Sequence, residues 1–177
     1  MSVADALVEW RDFYAAVAEA GGALLGLVFV GITIHLGRHP LDPRTRALSL
    51  GAVLALLHPL LASLVMLLPV VPAVQGTVLL VIAASGLVAT VRIASYKTRH
   101  PGRETRFTFA YRYFLPLAAE VVLVLAALAL LVDSRLGLYG LPVFLTLMVI
   151  VGTQDAVNLL FGTTVAGRPG DGLFRPQ

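Results

Sequence analysis

The stretch FAYRYFLPLAAEVVLVLAALALLV, residues 109–132, decides the fold class of this 177-residue chain. It contains only two charged residues, Arg112 and Glu120. An apolar stretch of about 20 residues is long enough for an α-helix to cross the hydrocarbon core of a membrane. The stretch therefore predicts a transmembrane helix that carries a carboxyl group inside the membrane.

Four other apolar stretches have a similar length. They predict spans at Phe13–Leu36, Ala47–Pro69, Gly76–Tyr96 and Leu138–Phe161. Breaks rich in proline, glycine or charged residues separate the five spans. Hydrophobic residues make up 58% of the chain and charged residues 13%, whereas soluble proteins carry about 25% charged residues. We expect an all-α integral membrane bundle of five transmembrane helices.

The two ends of the chain differ from the spans. Ala4–Trp10 predicts a short amphipathic lead-in to the first helix. Residues 166–177 contain several glycines and prolines and predict a flexible tail. Residues 1–165 are expected to form a single transmembrane domain.

Lysine and arginine residues collect on one side of the predicted membrane. Eleven of the 13 lie on that side, and only Arg11 and Arg135 lie on the other. Cytoplasmic loops of membrane proteins are enriched in these residues. The pattern predicts that the N-terminus lies outside and the C-terminus in the cytoplasm. Because these basic loops account for the net charge of +3, we do not expect nucleic-acid binding.

Three charged residues, Arg92, Glu120 and Asp155, lie inside the predicted spans. At 1.5 Å per residue Arg92 and Asp155 lie about 6 and 9 Å from the inner ends of their helices. Glu120 is placed at a similar depth in the fourth helix, so one common layer is expected. With Arg92 as the charge partner of one acid, the other carboxyl group must be protonated, hydrated or bound to a cation. A purely structural ion pair and an ion or proton site both remain open.

Polar neighbours extend this layer along the last helix. Gln154, Asp155 and Asn158 fall at helical spacing and form one polar stripe. In the second helix His58 precedes Pro59, which removes a backbone donor and kinks the helix. A histidine at this depth either relays protons or bonds to a nearby carbonyl or serine. We therefore include Asp155, Asn158 and His58 with Glu120 in a candidate ion or proton pathway.

The first helix carries an acid beside small residues. Glu19 precedes Gly22 and Gly26, which form a GxxxG pair. Such a pair allows two helix backbones to approach closely. The main interpretation is tight packing within the molecule. The alternative is that this helix lines the axis of a homo-oligomer, where Glu19 from each subunit forms a ring that attracts cations.

Patterns typical of enzymes are absent from the sequence. The chain has no cysteine, which excludes thiolate chemistry. His35 and His39 have helical spacing, but Gly37 and Pro40 interrupt the helix and no third metal ligand is evident. Ala84-Ser85-Gly86 lacks the full motif of an intramembrane serine protease. We expect no enzymatic activity and no cofactor, while the identity of any metal stays unknown.

The first half of the chain resembles a family of small multi-pass membrane proteins of actinobacterial type. The sequences of its members usually begin with a Trp–basic/His–Asp–Phe tetrad. An Ala/Gly-rich helix follows and ends in a Gly-Leu-Leu-Phe-Val pattern. Residues 10–13 fill the tetrad, and residues 26–30 read GLVFV. Members are often labelled modulators of the membrane-bound AAA protease. The resemblance implies the cytoplasmic (inner) membrane of a bacterium and a membrane protein partner.

A second resemblance is to the helices of store-operated calcium channels. It lies in AEVVL, residues 119–123, in His58 and in Pro142 of the last helix. Those channels have four helices, a cytoplasmic N-terminus and a glutamate at the outer end of the first helix. This chain departs from them, because it has His35 near that place and an extra predicted helix.

Two functions follow from these patterns. The first is an oligomeric membrane protein that conducts or binds a small cation or proton through its intramembrane acids. Five spans are too few to enclose a secondary-transporter site comfortably within one subunit, which favours an oligomer. The second is a non-conducting accessory protein that modulates a partner such as a membrane protease. The expected partners are the lipid bilayer, further copies of the chain, and a small cation or proton.

Overall fold

The computed structural model describes residues 3–36, 43–99 and 106–166, with side chains described over residues 7–34, 49–92, 95 and 114–157. Every regular element in these ranges is an α-helix, and each contains a segment long and apolar enough to cross a membrane. The protein is therefore a multi-pass membrane protein, as the sequence predicts. The five helices are α1 (Val3–Leu36), α2 (Pro43–Leu67), α3 (Pro72–Arg99), α4 (Arg106–Leu131) and α5 (Leu136–Ala166).

The helices extend beyond the predicted spans. The lead-in at Ala4–Trp10 is continuous with α1, which has 34 residues. At 1.5 Å per residue α1 is about 51 Å long, well beyond a hydrocarbon core of about 30 Å. Helices α2 and α3 each begin at a proline, Pro43 and Pro72, a residue favoured at the first helical position. The predicted tail beyond residue 166 lies outside the described residues.

Two short turns join α2 to α3 and α4 to α5 at the same end of the bundle, here called the turn end. In the second turn Asp133 has φ of 52°, a left-handed conformation that aspartate tolerates. Its N–H bonds to the Leu130 carbonyl at 3.1 Å, and the Ser134 N–H bonds to the Ala129 carbonyl at 2.8 Å. These bonds form a Schellman motif, which ends α4 and lets α5 run back beside it.

Four helices form a closed ring, because each of α2, α3, α4 and α5 packs against the next and α5 returns to α2. Helix α1 packs outside this ring, mainly on α2 and less on α5. The core lies inside the ring and consists of side chains such as Leu79, Leu123 and Phe144, all 0% exposed. The opposite end of the bundle, where α3 and α5 end, is called the basic end.

Candidate functional site

Glu120 lies inside the helical ring. It belongs to the buried stripe of α4 that continues through Leu123, Ala127 and Leu130 at helical spacing, so the rotation that buries these residues also buries the acid. Glu120 is 1% exposed, and neither of its carboxyl oxygens has a hydrogen-bond partner in the described part of the chain. A buried polar group without a partner is rare in folded proteins and calls for a specific explanation.

Gly86 of α3 provides the space for this carboxyl group. A Cβ atom at residue 86 would collide with the Glu120 carboxyl and would lie 2.7 Å from its Oε2. The side chain of Glu120 therefore lies directly on the backbone of α3. Only glycine at residue 86 allows this approach.

His58 contacts the neighbouring residue of α3. Its Nδ1 lies 2.7 Å from the Leu54 carbonyl oxygen, and its Nε2 lies 3.3 Å from the Ser85 hydroxyl. Because a carbonyl only accepts, Nδ1 carries a proton, and in the neutral ring Nε2 is an acceptor. The Ser85 hydroxyl also donates to the Ile82 carbonyl at 2.7 Å. The Ile82 carbonyl and His58 Nε2 therefore compete for the one hydroxyl proton. Protonation of Nε2 would leave that hydroxyl free to donate to Ile82.

His58 and Glu120 thus approach one turn of α3 from two sides, through Ser85 and Gly86. We call these four residues the polar layer. Sequence reasoning singled out His58 and Glu120 but missed the part that Ser85 and Gly86 play here. In the sequence Ser85 and Gly86 are simply two small residues of an apolar span. Their contacts with His58 and Glu120 depend on the register between the helices, which the sequence does not give.

The prediction of one common layer for Arg92, Glu120 and Asp155 is wrong. Glu120 lies opposite Gly86, and Arg92 follows Gly86 by six residues on α3, about 9 Å nearer the basic end. Asp155 lies opposite Gly51, with Oδ2 3.6 Å from the Cβ position of that glycine. Helix α4 begins at Arg106, 14 residues before Glu120, whereas α3 ends at Arg99, seven residues after Arg92, so the two side chains lie at different depths.

Arg92 does not pair with Glu120, because the Glu120 oxygens bond to no described residue. Arg92 is exposed on the outside of the ring, between α2 and α3. Asp155 makes a polar interaction of its own. Asn158 lies on α5, but its side chain is outside the described set, so the predicted polar stripe is described only as far as Asp155.

The face of α1 that carries Glu19, Gly22 and Gly26 points away from the bundle. Glu19, Gly22 and Gly26 are exposed, and a Cβ atom added at either glycine would meet no described residue within 4 Å. The main interpretation, tight packing of this GxxxG pair within the molecule, is therefore wrong. A different glycine, Gly21, makes the contact with α2, because its Cβ position would lie 3.6 Å from the Leu60 Cβ. Sequence spacing alone did not distinguish these adjacent glycines.

Further buried polar atoms lie between the polar layer and the turn end. The Tyr14 hydroxyl, the Ser63 hydroxyl and Oε1 of Gln75 have no hydrogen-bond partner among the described residues. Ser63 follows His58 by five residues on α2, and the Gln75 amide donates to the Leu68 carbonyl at 3.2 Å beside the turn. Tyr14 packs on Trp10, whose ring contacts Tyr139 near the start of α5. None of these three residues was predicted to belong to a site.

Comparison with protein-family models, with curated proteins and with solved structures found no match for this chain.

Proposed function

We propose that this protein is an oligomeric membrane protein that binds and conducts a proton through Glu120. The observation that carries the proposal is the Glu120 carboxyl group, which is buried inside the ring and whose two oxygens have no hydrogen-bond partner among the described residues. Ionisable groups within transmembrane helices are costly to keep and mark proton or ion pathways in many membrane proteins. A bound proton neutralises the carboxylate and removes the cost of an unpaired buried charge.

The surroundings of Glu120 favour a proton over a metal cation. A dehydrated Ca²⁺ ion takes six to eight oxygen ligands, and a Mg²⁺ ion requires an octahedral set. No group of three or more histidine, aspartate or glutamate side chains capable of holding a metal occurs in the described part of the chain. Gly86, on which the carboxyl group lies, supplies no side chain, and the Glu120 oxygens have no hydrogen-bond partner among the described residues. A proton needs no further ligand.

The polar layer and the polar atoms beyond it suggest a route. Buried polar groups without protein partners are commonly satisfied by ordered water, which also carries protons between them. Ser63, Gln75 and Tyr14 offer such groups between Glu120 and the turn end. His58 and Ser85, which lie next to Gly86, offer two further groups that can exchange protons. We propose that protons reach Glu120 from the turn end along these residues.

The oligomer contact is proposed on the outward face of α1. Glu19 lies within the apolar segment Leu7–Ile34 and is exposed on its surface. A charged side chain facing hydrocarbon costs about 3 kcal/mol even on insertion scales. Contact through Gly22 and Gly26 would bring two α1 backbones together and remove Glu19 from lipid.

Proton flux into sealed liposomes tests the proposal. The purified protein is reconstituted around a pH-sensitive dye, and flux is driven by a potassium-diffusion potential. We expect Glu120→Gln to reduce the flux at least tenfold, because glutamine keeps the shape of the side chain but does not exchange a proton. Asp133→Asn, an exposed acid in the turn, serves as the matched control and should conduct as wild type. Flux no greater than that of empty liposomes would exclude conduction.

A second candidate is an accessory protein that binds another membrane complex. The open face of α1 favours it as well, since Gly22 and Gly26 could receive a helix of a different protein. The two candidates differ in the behaviour of the purified chain. An accessory protein remains monomeric without its partner and produces no flux, whereas a conducting homo-oligomer self-associates and conducts alone.

A further inference from the structure

A groove runs along the outside of the ring between α2 and α3. These two helices contact each other less extensively than the other neighbouring pairs of the ring. The groove has a volume of about 510 Å³, and five of its seven lining residues are apolar. The other two are Ser85 and Arg92. Small side chains at Ala84 and Ala89 on α3 leave this space open.

The two polar residues lie at different depths in the groove. Ser85 faces His58, in the middle of the predicted span of α2. Arg92 follows seven residues later, about 10 Å nearer the basic end. There it lies beside Leu50, near the start of the apolar segment Ser49–Leu67. The groove therefore has an apolar floor that extends into the membrane and a cation near its mouth.

We propose that this groove binds an anionic phospholipid, with its phosphate on Arg92 and one acyl chain along Leu54 and Val88. Charge complementarity selects this ligand, because a guanidinium forms paired hydrogen bonds to phosphate oxygens. Apart from Ser85, the other lining residues are apolar and suit an acyl chain. Basic pockets between transmembrane helices on the cytoplasmic side bind such head groups in other membrane proteins. The proposal goes beyond proton binding, because it rests on residues other than Glu120.

The bound lipid would also shield the polar layer. An acyl chain in the groove covers the Ser85 hydroxyl and keeps water from the bond between Ser85 and His58. The phosphate would compensate the charge of Arg92, which has no bond to Glu120 in the structure. The lipid phosphate would thus give Arg92 a partner other than Glu120.

Native mass spectrometry of the purified protein tests the proposal. The probes are phosphatidylglycerol and phosphatidylcholine with identical acyl chains, added in equal amounts. We expect one retained phosphatidylglycerol per subunit and a clear preference over phosphatidylcholine. Arg92→Gln should weaken phosphatidylglycerol binding about fivefold, the effect of one basic residue near an anionic lipid. Equal binding of both lipids by the wild type would overturn the proposal.

Matched variants distinguish lipid binding in the groove from nonspecific lipid binding elsewhere on the protein. Arg135→Gln removes a charge at the turn end and should leave the preference unchanged. Ala84→Phe fills the groove and should abolish retention, whereas Val81→Phe, on an exposed position of α3 outside the groove, should not. Retention by Ala84→Phe equal to that of the wild type would contradict the location. Glu120→Gln should bind lipid as wild type, so failure of lipid binding and failure of proton conduction remain distinguishable.

Discussion

The carboxyl group of Glu120 occupies the space in which a side chain at residue 86 would begin. Helix α4 therefore carries an acid, and helix α3 carries a glycine, at one point of contact. The contact lies inside the ring, where Glu120 is 1% exposed. Each residue restricts the other. The Glu120 carboxyl group fits only because residue 86 has no Cβ atom, and without that carboxyl group the space beside Gly86 would be a void.

Gly86→Ala is expected to destabilise the protein. The added methyl group would force the carboxyl group or a helix to move, and overpacking of this kind costs about 1–3 kcal/mol. Thermal unfolding in detergent, followed by circular dichroism, measures the loss. Gly51→Ala is the matched control, since the nearest atom to its Cβ position is Oδ2 of Asp155 at 3.6 Å, an ordinary contact distance.

A double-mutant cycle assigns the Gly86 effect to Glu120. In a Glu120→Ala background the obstruction is gone, so Gly86→Ala should cost much less than in the wild type. Coupling between two contacting residues is commonly 0.5–3 kcal/mol, that is, roughly the whole expected effect. An equal loss in both backgrounds would show that residue 86 is restricted by something other than Glu120.

Ser85→Ala is expected to lower stability by about 1 kcal/mol, the usual net contribution of a hydrogen bond. The substitution removes the only side-chain partner of His58 Nε2 that the described residues provide. Thr77→Ala is the matched control on the same helix, because among the described residues the Thr77 hydroxyl bonds only to the Ala73 carbonyl one turn away. If both variants lose the same stability, the hydrogen bond between Ser85 and His58 contributes nothing to stability, and the loss reflects changes within α3 alone.

The sequence predicts the helices of this protein well and the contacts between them poorly. Hydrophobicity and length define five spans because each helix must satisfy its own backbone inside a membrane. The pairing of Glu120 with Gly86, in contrast, depends on the rotation and register of two helices. Register also separates Arg92 and Asp155 from Glu120. Low-complexity apolar segments give few signals of helix rotation, so the sequence did not show that Gly21 packs on α2 while Gly22 is exposed.

Cross-linking through α1 tests the proposed subunit contact. The chain contains no cysteine, so single-cysteine variants carry one reactive site. We expect Gly26→Cys to form a disulfide-linked dimer in oxidised membranes, because this residue lies on the open face with Gly22 and Glu19. Leu125→Cys on α4, 61% exposed, is the control and should remain monomeric. Equal cross-linking of both variants would indicate random collision, and no cross-linking of Gly26→Cys would remove this interface.

The orientation of the bundle decides which leaflet the α2–α3 groove faces. Lysine and arginine residues predict that the basic end is cytoplasmic, the leaflet in which anionic lipids attract basic residues. In intact cells, a membrane-impermeant maleimide should therefore label Arg135→Cys in the turn between α4 and α5. Lys97→Cys should react only after the cells are opened, and the cysteine-free wild type measures background. The reverse pattern would invert the bundle and place Arg92 at the outer leaflet. An anionic phospholipid would then have to reach the groove from outside, and the proton route from the turn end would begin in the cytoplasm.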